Sequence, residues 1–120
     1  MINLDTHILV GVLLGELTGR ERKRLEGDPV WGISPIVLWE LAMLNREGRI
    51  SLDLEAYETR NALSALSMLP LSLDVARVAC TLDFNADPAD HLIAATSIVH
   101  KVPLLTRDNK IRSSKRVPLA

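Results

Sequence analysis

A single cysteine, Cys80, in 120 residues excludes an internal disulfide and a cysteine zinc cluster. Aromatic residues are nearly as scarce, limited to Trp31, Trp39, Tyr57 and Phe84, which argues against a base-stacking platform of the single-strand-binding kind. No apolar run is long enough to span a bilayer, and the N-terminus shows no signal-peptide pattern. With the solitary cysteine, these features predict a cytoplasmic protein in a reducing compartment with no membrane partner. Neither sign of charge dominates: the formal net charge is -1 and the pI about 6.3, which counts against a DNA-binding scaffold. Six glycines and six prolines stand as single punctuation marks, so neither a linker nor a low-complexity stretch nor a repeat divides the chain.

What is present is apolar and periodic. A hydrophobic content of 48% suffices for one packed core, so residues 1–120 are expected to form a single domain. INL reads as a minimal strand, followed by Asp5 and HILVGVLLGEL, an apolar stretch of helical length. VWGIS is the next strand candidate, then a helix from Pro35 to the turn residues REGRI. SLDLEAYETRNALSALSM has amphipathic helical period, MLPLSL a short strand, and Asp74 to Leu82 another helix. DPADHLIAATSIVHK is helical and VPLLT a buried strand. Asp108 to Arg112 makes a helical turn, and RVPL a last edge strand. Strands alternating with helices predict an α/β fold: a parallel β-sheet flanked by helices on both faces. Two basic clusters, GRERKR from Gly19 to Arg24 and KIRSSKR from Lys110 to Arg116, read either as solvated surface or as local phosphate contacts.

The acidic residues fall where such a fold places function. Open parallel sheets bind ligands at the carboxyl ends of their strands. Asp5 directly follows INL, the helix carrying Glu40 follows VWGIS, and Thr106 and Asp108 follow PLL. Asp87 and Asp90 open the helix before PLLT; whether they reach the same edge depends on how that segment docks. Each aspartate also has a capping explanation, because Asp is a favoured N-cap and Asp87, Pro88 and Asp90 suit the N-cap, N1 and N3 positions. Glu40 does not. It lies beyond the first turn of a helix, SPIVLWELAMLN, that is apolar nearly all round and is expected to be buried, with no Lys or Arg three or four residues away. A buried carboxylate needs a partner from elsewhere in the fold. Gathered carboxylates repel one another, and a divalent cation resolves the repulsion; hard oxygen donors suit Mg²⁺ or Mn²⁺ and hence phosphodiester chemistry.

INLDTHILVGVLL, ISPIVLWELAML, DPADHLIAATSI and VPLLTRDNKI, in this order and over nearly the whole chain, resemble the PIN-domain family, specifically the VapC-type ribonuclease toxins of toxin–antitoxin pairs. The resemblance implies a PIN-like α/β/α sandwich and a Mg²⁺- or Mn²⁺-dependent endoribonuclease, a hydrolase acting on RNA. It matches Asp5, Glu40, Asp90 and Asp108 to the family's catalytic, metal-holding acidic residues, with Asp87 as a helper. It further implies a homodimer and an antitoxin partner that blocks the site. His91 stands where family members often carry Arg, a departure that touches a substrate or antitoxin contact more than the metal site.

Smaller assignments follow from position. Thr6 and Thr106 flank two of the proposed ligands and would orient a carboxylate or bond locally to backbone. His7 is expected to point away once the helix begins; His100 and Cys80 read as ordinary helix residues, and Trp39 and Met43 as core or dimer-contact residues. Two rival functions remain in view. One is a catalytically inactive binding module whose acidic pocket engages a basic partner. The other, phosphoryl transfer on a similar sheet, is disfavoured because Asp5-Thr6-His7 lacks the D-x-D of haloacid-dehalogenase-like phosphatases, and the acidic pair of receiver domains is missing.

Overall fold

The computed structural model describes residues 1–120. Four short parallel strands form one sheet: β1 (Ile2–Leu4), β2 (Trp31–Ile33), β3 (Ser67–Met68) and β4 (Leu104–Leu105), in the order β3-β2-β1-β4. Asn3 is registered with Gly32 on one side and with Leu104 on the other, so β1 is the central strand that the neighbours share. Seven helices flank the sheet: α1 (Thr6–Leu14), α2 (Gly19–Glu26), α3 (Pro35–Arg46), α4 (Tyr57–Ser64), α5 (Leu73–Ala79), α6 (Pro88–His100) and α7 (Asn109–Arg112). No helix is long and apolar enough to cross a membrane. The strand order reverses at β1, whose one neighbour is the next strand in sequence and whose other is the last. Crevices at such switch points, outside the carboxyl ends, are where open parallel sheets bind ligands.

The core is aliphatic. Ile2 and Leu4 of β1, Ile8 and Leu9 of α1, Ile33, Val37, Leu41, Ile93, Leu104 and Ile111 all form one buried cluster, each side chain contributing about 1.5–3 kcal/mol on burial. A smaller cluster of Val75, Ala79 and Ala95 seats α5 on α6. Helix α3 packs against both α1 and α6, which brings three site-bearing helices together. Between β1 and α6, the buried Asn3 amide donates to Ser97 Oγ at 2.9 Å and to the Ile93 carbonyl at 3.4 Å.

Several boundaries differ from those expected. The first helix stops at Leu14 rather than running through GEL, because Gly15 adopts φ 70° and its N–H turns back to the Gly11 carbonyl, the left-handed termination that glycine permits. GRERKR proves to be most of a helix, α2, opened by a capping box in which Thr18 and Glu21 bond reciprocally. The helix expected over 51–68 is confined to Tyr57–Ser64, since Asp53 Oδ1 accepts from the Glu55 N–H and bends the preceding segment. The strand expected in MLPLSL is displaced to Ser67–Met68, and RVPL supplies one bridge, Leu104 to Leu119. Helix α3 is not buried all round: Val37 and Leu41 are buried while Trp39 is 56% exposed. Trp39 is therefore no core residue, because the Val37–Leu41 stripe faces the sheet and Trp39 turns toward solvent.

Candidate functional site

Asp5 sits at the end of β1, where its N–H completes the ladder to the Leu105 carbonyl of β4 at 3.1 Å. Its side chain is almost wholly buried, at 4% exposure. Oδ1 accepts from the Thr6 N–H at 2.8 Å and caps α1, while Oδ2 accepts from Thr106 Oγ1 at 2.5 Å across the sheet. Burial pushes this carboxyl above its ordinary range. The Thr106 and Thr6 bonds and the charge of exposed His7 pull the other way, and Asp108 adds a further upward push. Thr106 itself is fixed, because its Oγ1 also accepts from the Asp108 N–H at 3.0 Å.

Glu40 projects from the second turn of α3, and its partner is a hydroxyl: Thr6 Oγ1 donates to Oε1 at 2.5 Å. Thr6 and Thr106 thus clamp one oxygen each of Glu40 and Asp5, the orienting role that their positions suggested. Asp108 caps α7 through Oδ1, which accepts from the Lys110 and Ile111 N–H groups at 2.8 and 3.4 Å. Asp90, at N3 of α6, makes no side-chain hydrogen bond. Its carboxyl is pushed up to about 6, first by burial and then by the negative charges of Asp5, Glu40, Asp108 and Asp87, in that order. Asp87 occupies the N-cap position but makes no capping bond with its side chain. The docking left open by the sequence is resolved here, since α6 carries Asp90 into electrostatic range of the other three.

Together the groups border a concave, acidic edge. Asp87, Asp90 and Asp108 line a hollow of about 360 Å³ with Asn85 and Lys110, and Glu40 and Asp87 line an adjoining one of about 320 Å³ with Trp39 and Met43. None of the ion pairs of the molecule neutralises Asp5, Glu40, Asp90 or Asp108. Glu40 Oε2, both oxygens of Asp90 and Asp108 Oδ2 are free to take a ligand. No three acidic, histidine or cysteine side chains close on one point as a finished cation cage. The donors nevertheless fit Mg²⁺ or Mn²⁺, which take hard oxygens, retain several waters and need only one or two carboxylates directly.

Lys110, the first residue of the basic KIRSSKR cluster that the sequence offered either as solvated surface or as a phosphate contact, lines the acidic hollow, two residues after the cap Asp108. His91 turns away: its Nε2 donates to the Phe84 carbonyl at 3.0 Å and its ring lies 5.3 Å from that of Phe84. His100 Nε2 contacts the Pro70 carbonyl at 3.2 Å, far along α6 from the acidic edge.

A family model described as PIN domain matches residues 2–116. Ribonuclease VapC22 of Mycobacterium tuberculosis is 33% identical over 87 residues, covering 69% of this chain; the chain spans 66% of the length of that relative. Among solved structures, a toxin–antitoxin complex from Klebsiella pneumoniae superposes with a TM-score of 0.73 at 26% identity, over 94% of this chain and 91% of that one. VapBC2 from Rickettsia felis, bound to a DNA fragment from its promoter, gives 0.74 at 21% identity over 100% and 98%, a likeness of fold.

Proposed function

Because the chain belongs to the PIN-domain family, we infer that it is a Mg²⁺- or Mn²⁺-dependent endoribonuclease in which Asp5, Glu40, Asp90 and Asp108 hold the cation. The observation that carries the reading is the gathering of these four carboxylates, from β1, α3, α6 and the β4–α7 turn, with no cation of the chain paired to them. A bound divalent ion supplies charge neutralisation and an activated water at neutral pH. The protein's own contribution is placement. Thr106 and the Thr6 N–H fix Asp5, the Thr6 hydroxyl fixes Glu40, and Asp90, which makes no side-chain hydrogen bond, keeps both oxygens for the cation, whose charge would offset the repulsion that raises its carboxyl in the metal-free protein. Lys110 at the rim offers a cation to a substrate phosphate.

The ribonuclease name of the mycobacterial relative supports RNA as substrate, and the Klebsiella complex supports an antitoxin partner, so the biological role proposed is the toxin of a type II toxin–antitoxin pair. We propose a homodimer from the family resemblance; the exposed Met68, Leu71 and Leu73 offer apolar surface for it. One observation favours a second reading. Asp87, Asp90 and Asp108, unpaired around one hollow, also suit a binding module whose acidic pocket receives a guanidinium from a partner. The two are separated by assaying Mg²⁺-dependent cleavage of single-stranded RNA by the wild type, Asp5→Ala and Asp90→Ala. The nuclease reading expects cleavage by the wild type and a loss of about 100-fold or more in each variant. Equal cleavage by all three would overturn the residue assignment, and none by the wild type would favour the binding module.

A further inference from the structure

The two basic clusters of the sequence, from opposite ends of the chain, meet in the fold. A cavity of about 480 Å³ lies between α2 and the β4–α7 segment, and four guanidinium groups line it: Arg20 and Arg24 from the first cluster, Arg112 from the second, and Arg107. They are not equally committed. Arg107 is held by Glu21 through two bonds of 2.8 and 2.7 Å and also donates to the Glu16 carbonyl. Arg24 pairs with Asp28 at 2.5 Å. Arg20, exposed on the first turn of α2, makes neither an ion pair nor a side-chain hydrogen bond. Arg112 spends one nitrogen on the Thr106 carbonyl at 3.4 Å. Two guanidinium groups with unspent N–H donors therefore face one concavity, backed by a third that its carboxylate holds rigid. Such forks match phosphate oxygens.

The position of this cavity relative to the acidic edge gives it a purpose. Thr106 lines the cavity, its carbonyl accepts from Arg112, and its hydroxyl donates to Asp5. The arginine cavity and the carboxylate site thus lie on either side of a single residue. A chain of net charge -1 with four gathered carboxylates would repel a polyanion, so a nuclease built this way needs cations where the next phosphates of the strand pass. We propose that the Arg20–Arg112 cavity is a backbone-phosphate subsite of the RNA strand whose scissile diester lies at Asp5, Glu40, Asp90 and Asp108. This rests on the nuclease reading and adds to it the residues that position the substrate. Phosphate contacts of this kind set register along the strand and leave its sequence unread.

Binding is read without cleavage by titrating a short, labelled single-stranded RNA in EDTA and following fluorescence anisotropy over a series of salt concentrations. Arg20→Ala and Arg112→Ala are each expected to weaken binding about tenfold at low salt and to reduce the slope of log affinity against log salt by about one. Arg60→Ala, on α4 and outside the cavity, serves as the charge-matched control and is expected to leave both quantities unchanged. Arg20→Lys, which keeps the charge and loses the fork, should retain most of the slope while weakening affinity. Affinities and slopes of the Arg20 and Arg112 variants that match the Arg60 control overturn the subsite, as does RNA cleavage with unaltered KM in both. Arginine-dependent binding without cleavage by the wild type in Mn²⁺ would instead sink the nuclease reading, so the two failures are distinguishable.

Discussion

Asp90 carries the largest electrostatic load at the acidic edge, and its protonation links the site to stability. Burial and four neighbouring carboxylates raise it from 3.8 to about 6, so between these values the folded protein holds a proton that the unfolded chain has released. The stabilisation from that proton is complete below 3.8 and is lost as pH rises through about 6. Asp90→Asn keeps the shape and removes the charge. In EDTA, denaturant titrations should therefore find the variant more stable than the wild type at pH 7, with the difference closing toward pH 4. A variant less stable than the wild type throughout would show that Asp90 is held by contacts rather than strained by charge. Glu40 illustrates what a residue discloses by itself. Its apolar surroundings in the sequence announce a need for a partner; that the partner is the hydroxyl of Thr6, on another helix, depends on how α1 and α3 pack.

Element ends were readable where their chemistry is local. Ser34 with Pro35, Asp87 with Pro88, and Asp108 each mark a helix start where the sequence places one. Helix α2 escaped notice because it buries little besides Leu25 and so lacks an apolar period, although Thr18 and Glu21 spell a capping box. Strand β3 was displaced because its two residues are selected by pairing with Gly32 and Ile33, a long-range choice. The C-terminus of α6 carries a testable strain: Lys101 adopts φ 56° in the left-handed region, where glycine bears no side-chain penalty. Lys101→Gly is expected to raise the unfolding free energy by about 1 kcal/mol in chemical denaturation. A decrease would indicate that the Lys101 side chain contributes more than its backbone costs.

At the scale of the whole molecule, the parallel sheet and its flanking helices follow from the alternation of apolar segments, and the strand order follows from packing. The reversal at β1 sets the ends of β1 and β4 side by side, and this placement brings Asp5 against Thr106, a contact spanning 101 residues. The docking of α6 over that edge then supplies Asp90. These juxtapositions lie beyond local pattern, because in sequence Asp5 and Asp108 look like helix caps and Asp90 like an N3 residue of a first helical turn. The same convergence sets Arg20 and Arg112 around one cavity beside the acidic edge. The central claim, that four separate elements build one cation site, is tested most directly by calorimetric titration of Mn²⁺ at neutral pH into the wild type, Glu40→Gln and Asp90→Asn. The account predicts binding by the wild type that weakens about 10- to 100-fold in both variants; wild-type affinity retained in both would contradict it.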